Sequence, residues 1–270
     1  MNDLTADAAL AKELALEAGR LLLDVRRDFG PVDPADKEHR RELKDAGDAA
    51  AQSFLADQLS RQRPDDAVLS EEARDSSERD GANRVWIIDP LDGTNEFSQG
   101  RGDWAVQIAK WERGAPGSGF TAAAFSLPAQ EAVYVTGATG AAEFGALHER
   151  PLRVVVSRSR PPENFVARTD EIAARLAADG VTEHGIEFVY VGSAGAKVGE
   201  LLAGRVDAYL NEGGFWEWDA AAPLAVALDH GMIGTHLDGR TIEFNKRPPW
   251  VDDIVIARPE VIAYVRPDVD

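Results

Sequence analysis

The sequence predicts an α+β protein, with a mainly antiparallel sheet and its helices in the N-terminal half and an α/β unit in the C-terminal half. Three observations lead there. Apolar residues near the start recur at helical spacing. Between Val85 and Thr136, strand-like runs follow one another through turns too short for crossover helices. Beyond about residue 150, strand and helix patterns alternate as in βα units. The division falls near residue 147, giving segments 1–147 and 148–270.

Each element follows from local pattern. Leu10, Leu14, Ala18, Leu21, Leu22 and Val25 share one helical face, so a first helix runs from about Ala6 to Arg27 and stops at Gly30-Pro31. Residues 31–45 are polar, contain two prolines and read as a loop able to close over a site. A second helix follows Asp48, with Ala51, Phe54, Leu55 and Leu59 inward and Pro64 as its end. Val68-Leu69 is a short strand running into Ser70-Glu71-Glu72, and residues 73–83 are a polar connection. Val85–Ile88 is apolar without alternation, the mark of a central strand buried on both faces. It breaks at Asp89-Pro90-Leu91-Asp92-Gly93-Thr94. Trp104, Val106 and Ile108 alternate with Ala105, Gln107 and Ala109 in the next strand, and further strands lie near 120–126 and 131–136. After the Gly- and Ala-rich stretch 137–146 come a strand over 152–156, a helix over 162–179, a strand over 186–191, a helix over 195–203 and a strand over 206–210. A helix from Asp219 to Asp229 stops at Gly231, and Asp238-Gly239 reads as a hairpin turn between short strands.

Composition narrows the function. Among 270 residues, 29 are Lys or Arg and 47 are Asp or Glu, a net charge of −18. That balance argues against a nucleic-acid binder, whose affinity rests on clustered cations, and against docking on an anionic membrane. The absence of cysteine excludes disulfides, thiolate nucleophiles and thiolate-ligated metals. No apolar run reaches the about 18 residues of a membrane span, and the acidic N-terminus lacks a signal peptide's basic head, so a soluble cytoplasmic protein is expected. The five histidines are scattered, and the chain has no GxGxxG, GxxxxGK[ST] or GxSxG run.

Four carboxylates stand out: Glu71 after a short strand, Asp89 and Asp92 at the end of the most apolar strand, and Asp219 where Phe215-Trp216-Glu217-Trp218 gives way to a helix. Carboxylates at the ends of apolar strands cost desolvation energy unless a cation compensates, and no Lys or Arg occurs between Val85 and Gln99. A hard, oxygen-seeking ion such as Mg²⁺ is the natural compensating charge. Pro90 constrains the turn, Gly93 permits close backbone approach, and Gly93-Thr94 begins a short helix whose amides suit an anion. Together these features suggest a phosphate held against metal ions, two of which about 4 Å apart can serve an in-line displacement. Each motif has a plainer alternative: an isolated Asp-x-x-Asp is usually a solvated turn, Glu71-Glu72 a helix start, Asp219 an N-cap, and Gly192-Ser193 an ordinary cap.

The combination is more specific than its parts. Asp89-Pro90-Leu91-Asp92-Gly93-Thr94-Asn95-Glu96-Phe97 resembles the DP[IL]DGTxxF signature of the inositol monophosphatase superfamily, and Trp218-Asp219-Ala220-Ala221-Ala222-Pro223 is similar to its WDxAAx signature. Leu69-Ser70-Glu71-Glu72 and Gly47-Asp48 resemble its earlier acidic elements, in the same order. Within the superfamily the chain looks most like the CysQ-type 3′(2′),5′-bisphosphate nucleotidases. Val156-Ser157-Arg158-Ser159 resembles that type's VSRS(H) run, with Arg160 where His is usual, and Gly192-Ser193 with Lys197 resembles its GSxxK element with one extra residue. Asp45 departs from the threonine common at that place, and Glu212, seven before Asp219, matches a substrate-contacting glutamate of inositol monophosphatases.

The resemblance implies a layered αβαβα sandwich of the inositol monophosphatase and fructose-1,6-bisphosphatase type. It implies an Mg²⁺-dependent phosphatase that takes the 3′-phosphate from adenosine 3′,5′-bisphosphate, giving AMP and phosphate without a phosphoenzyme. Inositol-1-phosphate and fructose 1,6-bisphosphate are the alternative substrates, and a metal- and phosphate-binding protein without turnover is the alternative class. Two Mg²⁺ are implied, with Glu71 helping a third through water. Their ligands would be Glu71, Asp89, the Leu91 carbonyl, Asp92 and Asp219. Gly93 and Thr94 would hold the phosphate, and the Thr94 hydroxyl, bonded to Asp48, would orient the attacking water. Ser193, Lys197, Arg158, Glu212 and Asp219 are implied on the rest of the small phosphorylated substrate, with Trp216 and Trp218 as candidate walls for adenosine and Glu72 turned outward. Lithium sensitivity and a homodimer are family expectations.

Overall fold

The computed structural model describes residues 4–138 and 143–266. Helix α1 (Ala6–Phe29) is capped by Thr5, whose hydroxyl accepts from the Ala8 amide, and it buries Leu10, Leu14, Ala18 and Leu22. Helix α2 (Lys37–Gln62) corrects the loop expected over 31–45: only residues up to Asp36 lie outside a helix. The Asp36 carboxylate accepts from the His39 amide and starts the helix early. Its first turns were unreadable because Leu43 is their one buried apolar residue, so they carry no amphipathic period. Gly47 lets α2 lie close to its neighbours, since a Cβ there would come 3.0 Å from Phe97 and 3.1 Å from Leu91.

The first sheet contains β1 (Ala67–Ser70), β2 (Arg84–Asp92), β3 (Ala105–Glu112), β4 (Phe120–Leu127) and β5 (Ala132–Val135), in that order. Strands β1 and β2 are parallel and the other pairs antiparallel. Short helices α3 (Glu78–Gly81) and α4 (Thr94–Ser98) flank β2. The second half supplies β6 (Leu152–Ser157), α5 (Glu163–Ala167), α6 (Thr169–Ala178), β7 (Ile186–Val191), α7 (Ala194–Leu202), β8 (Ala208–Asn211), β9 (Phe215–Trp216), α8 (Glu217–Asp229), β10 (Ile233–Thr235), β11 (Trp250–Val251), β12 (Ile254–Ala257) and α9 (Ile262–Val265). Its sheet runs β10-β12-β8-β6-β7, with β6 parallel to both β7 and β8. The single helix expected over 162–179 divides at Arg168. The turn at Asp238-Gly239 forms, but no hairpin follows it. The Asn245 and Lys246 amides are claimed by Glu217, and β10 pairs instead with β12.

Period-two burial gives the layers. On β2, Trp86 and Ile88 face α1 and α2, whereas Val85 and Ile87 face α7 and α8. On the second sheet, Val155, Tyr209 and Ile256 face α7 and α8, and Val154, Ala208 and Leu210 face α5, α6 and α9. The result is a layered αβαβα sandwich. The central helices belong to the second half yet bury a core shared with both sheets, while each outer helix layer closes a core within its own half. No helix among the described residues is long and apolar enough to cross a membrane.

Asp207, fully buried before β8, accepts from Arg150 at 2.6 and 2.8 Å, from Arg258 at 2.9 Å and from the Arg153 amide at 3.0 Å. Burial alone would raise its pKa, but hydrogen bonds from Arg150, the Arg153 amide and Arg258 outweigh it and hold the carboxyl below its usual range. Asp207→Asn is expected to cost about 3 kcal/mol in urea unfolding at neutral pH, because it strands buried guanidinium groups. With a lowered folded pKa, this contribution is complete above about pH 4 and is lost as pH falls through the folded value, so mutant and parent stabilities converge in acid.

Candidate active site

Asp89 and Asp92 are three residues apart, and on a regular strand their side chains would point to opposite faces. The β2–β3 register prevents this: Asp89 faces Gln107 and Asp92 faces Ala105, three residues on one strand against two on the other. The extra residue is a β-bulge, which turns both carboxylates toward the layer of α7 and α8. Within it the Leu91 amide donates to Asp89 Oδ1 at 3.0 Å, while Asp89 Oδ2 is buried with no hydrogen-bond partner.

Asp219 arrives from another element. It sits in the first turn of α8, where its Oδ2 accepts from the Trp216 amide at 3.1 Å, and it offers an oxygen to the same cluster. One carboxylate oxygen each from Asp89, Asp92 and Asp219 lies within 4.8 Å of the others. Glu71, just past β1, reaches hydrogen-bond range of Asp89 although part of it stays open to solvent. Burial, then the neighbouring negative charges, raises these groups: Asp219 to about 8, Glu71 to about 7 despite its bond to Asp89, and Asp89 well above the carboxylate range. Burial also raises Asp92, against the opposing pull of the Gly195 amide and Lys197. An orphaned carboxylate oxygen inside an all-oxygen cluster fits a hard divalent cation.

Beyond the cluster lies a cleft of about 180 Å³ lined by both halves of the chain. Gly93 enters α4 with φ 89°, and its Cα approaches Ser193 so closely that a Cβ would come 3.0 Å from the serine Cβ. The opening amides of α4 lack intrahelical acceptors and border the cleft at Gly93, Thr94 and Asn95. Ser193 caps α7, its hydroxyl accepting from Ala196 at 2.9 Å, and also lines the cleft. Lys197 is buried, donates to the Gly192 carbonyl at 2.7 Å and stands 5.4 Å from the Tyr209 ring centroid. Burial pushes its pKa down to about 8. A larger cavity, about 410 Å³ beside Arg26, Val32 and Leu43, has no carboxylate in its lining.

Four expected placements are not found. Arg158 is absent from the cleft lining because its guanidinium is held by Glu96 at 3.1 Å, by Asp103 at 2.5 Å and by the Tyr190 carbonyl. Glu212 faces α5 instead of the cleft, accepting from the Asn164 and Phe165 amides at 3.1 and 3.0 Å. No hydrogen bond joins Thr94 to Asp48 among the described residues; Asp48 faces Glu71 and Glu72, and burial with those charges raises it to about 7. Trp216 and Trp218 stack on each other at 5.2 Å outside the lining, which takes Phe215 from that segment.

Sequence reasoning also missed residues. Gln107 is fully buried and donates to Asp92 Oδ2, and the Gly195 amide reaches the same oxygen at 2.7 Å. A Cβ at Gly195 would meet Ala105 at 2.7 Å, so only glycine lets α7 come this close. An amide side chain among apolar alternation partners on β3 was the available signal for Gln107. Ser159, Arg160, Tyr209 and Asn211 line the cleft as well.

A model of the inositol monophosphatase family matches residues 3–265. The chain is 45% identical over 262 residues to the 3′-phosphoadenosine 5′-phosphate phosphatase of Mycobacterium leprae, covering 94% of this chain and 90% of that protein. It is 30% identical over 247 residues to the 3′(2′),5′-bisphosphate nucleotidase CysQ of Escherichia coli K12, covering 89% and 94%. The crystal structure of inositol monophosphatase II from Staphylococcus aureus has the same fold, with a TM-score of 0.70 at 18% identity over 96% of this chain and 94% of that one.

Two measurements test the cluster. Because Glu71, Asp89 and Asp219 have folded pKa values above their unfolded ones, the metal-free protein is expected to lose stability as pH rises from about 4 to about 8. Mg²⁺ competes with those protons, so its thermal-shift gain should be larger at about pH 8 than at about pH 6. Gln107→Leu should weaken Mg²⁺ binding by about 10- to 100-fold in titration calorimetry, with unchanged far-ultraviolet circular dichroism.

Proposed function

Since the chain belongs to the inositol monophosphatase family and is a phosphoric monoester hydrolase, we propose that it removes the 3′-phosphate of adenosine 3′,5′-bisphosphate, releasing AMP and phosphate. One observation carries the substrate assignment: a single cleft adjoins the carboxylate cluster and also presents a cation, Arg160, which suits a substrate with a second phosphate. The names of the Mycobacterium leprae and Escherichia coli relatives support the same reading.

Glu71, Asp89, Asp92, Asp219 and the Leu91 carbonyl would hold two Mg²⁺, with Glu71 turned toward a third through water. When bound, the metal supplies charge for the phosphoryl oxygens and acidifies water. The chain's own residues do the positioning. The amides opening α4 and the Gly93 approach hold the phosphate, because free N–H groups there face the cleft. Thr94, which lines the cleft at the start of α4, orients the attacking water for in-line displacement. The buried Lys197 fixes the Gly192 carbonyl and with it the Ser193 cap. Asp89 and Asp92 serve as ligands, so neither is free to form a phosphoenzyme.

The inositol reading drew on Asp45 and, chiefly, on Glu212. The α5 amides occupy that carboxylate, which removes its main support.

Phosphate release from adenosine 3′,5′-bisphosphate, inositol-1-phosphate and fructose 1,6-bisphosphate, measured side by side, should give the largest kcat/KM for the first. A larger value for either of the others reverses the assignment. Asp92→Asn should lower kcat by about a thousandfold or more while the circular dichroism spectrum stays unchanged.

A further inference from the structure

Two helix heads from different halves of the chain meet beside the carboxylate cluster. Helix α4 brings the Gly93, Thr94 and Asn95 amides to the cleft. Helix α7 brings Ser193 and, through the Gly195 amide, holds Asp92. The heads touch at Gly93, where a Cβ would come 3.0 Å from the Ser193 Cβ and 3.3 Å from the Trp104 Cα. A glycine has no side chain with which to grip its neighbour, so the two heads have to be fastened from outside their contact.

Asp103, between α4 and β3, supplies the fastening. Its Oδ2 accepts from the Gly192 amide at 2.9 Å, and its backbone carbonyl accepts from the Ser193 amide at 3.3 Å. Both residues of the β7–α7 turn are thus bound to the first half. The same Oδ2 accepts from Arg158 Nη2 at 2.5 Å. Arg158 continues to Glu96 on α4 at 3.1 Å and to the Tyr190 carbonyl on β7 at 3.2 Å. A Cβ at Gly192 would come 2.4 Å from the Glu96 carboxyl carbon, so Glu96 rests directly on the turn that Asp103 holds. The contacts close a ring that runs from α4 through Arg158 and Asp103 to the β7–α7 turn and back to α4.

The ring balances its charges, because Asp103 and Glu96 meet Arg158 and Arg101, the last at 3.2 Å from Asp103. Glu96 lines the cleft, and its pairing with Arg158 masks its charge from an incoming phosphate. Asp103 and Arg158 are not part of the lining, so they act through other groups. Arg160 stands outside the ring: it lines the cleft, and its guanidinium has no hydrogen-bond or ion-pair partner among the described residues.

We propose that Asp103 is a positioning residue for phosphate ester hydrolysis: by binding the β7–α7 turn and Arg158 through one carboxylate oxygen, it holds the heads of α4 and α7 in the register at which their amides and the carboxylate cluster meet the same phosphate. This rests on the phosphatase reading of the site and not on which ester is preferred. A shift of about 1 Å in groups that hold a reacting phosphate costs up to about 100-fold in rate.

The test measures kcat and KM at saturating Mg²⁺ for adenosine 3′,5′-bisphosphate and adenosine 3′-monophosphate in the parent, Asp103→Ala, Asp103→Asn and Arg158→Met enzymes. Asp103→Ala should lower kcat by about 10- to 100-fold on both substrates alike, with KM changed much less. Asp103→Asn keeps one acceptor oxygen and should recover part of the loss. The double variant Asp103→Ala/Arg158→Met should lose no more than the worse single one, since both open the same ring. Arg158→Met leaves the bond from Gly192 to Asp103 in place and carries the comparison if Asp103→Ala does not fold. A kcat within about twofold of the parent's in the folded variants, whatever their melting temperatures, overturns the positioning role. A loss confined to the bisphosphate overturns it too, because Arg158 would then be acting on the substrate itself. If inositol-1-phosphate proves the better substrate, the nucleotide assignment fails alone, and the loss of kcat is read on that ester instead.

Discussion

Four carboxyl groups crowd into one partly dry cleft, and their mutual repulsion is the constraint to which the surrounding structure answers. Each pKa unit of upward shift is about 1.4 kcal/mol of disfavoured ionisation, so left to themselves these groups would separate or take up protons. The backbone denies them the first option. A bulge in the central strand fixes two of them, the first turn of α8 fixes the third, and the exit from β1 presents the fourth. The large apolar core shared by both sheets supplies the rigidity that makes this arrangement hold.

The same pressure explains how the two halves are joined. Asp92, from the first half, accepts the amide of Gly195 at the start of α7, from the second. Glu217, fully buried at the head of α8, accepts the amides of Asn245 and Lys246 at 2.7 and 2.8 Å. Arg79, nearly fully buried, reaches the same strap through Asn245 Oδ1 and the Lys246 carbonyl while holding Asp75, a few residues beyond Glu71. The elements that carry Glu71, Asp92 and Asp219 are thus tied to one another by buried polar contacts as well as by the core.

Much of this was legible in the chain itself. The unalternated run Val85–Ile88 marked the central strand, and the acidic residues at its end, together with Glu71 and Asp219, marked the cluster. What was hidden had physical causes. Helix α2 begins early through a cap and has no apolar stripe in its first turns to betray it. The turn at Asp238-Gly239 gives no sign that the amides after it are taken by a buried glutamate. Arg158 and Arg160 are chemically identical in sequence, and only the positions of Glu96 and Asp103 in space separate a bracing role from a free one. Glu212 has the spacing of a substrate contact, but a helix start placed by the fold captures it.

The bulge in β2 has a consequence for how this segment tolerates change. Its function depends on parity: one surplus residue between positions 89 and 92 converts an odd spacing into an even one. Replacing the side chain at 90 or 91 leaves that arithmetic intact. Removing a single residue would rotate Asp92 into the layer occupied by α1 and α2, among Leu22, Leu55 and Phe97. Chain length between the two aspartates, more than the identity of what lies between them, is therefore the invariant this stretch has to keep.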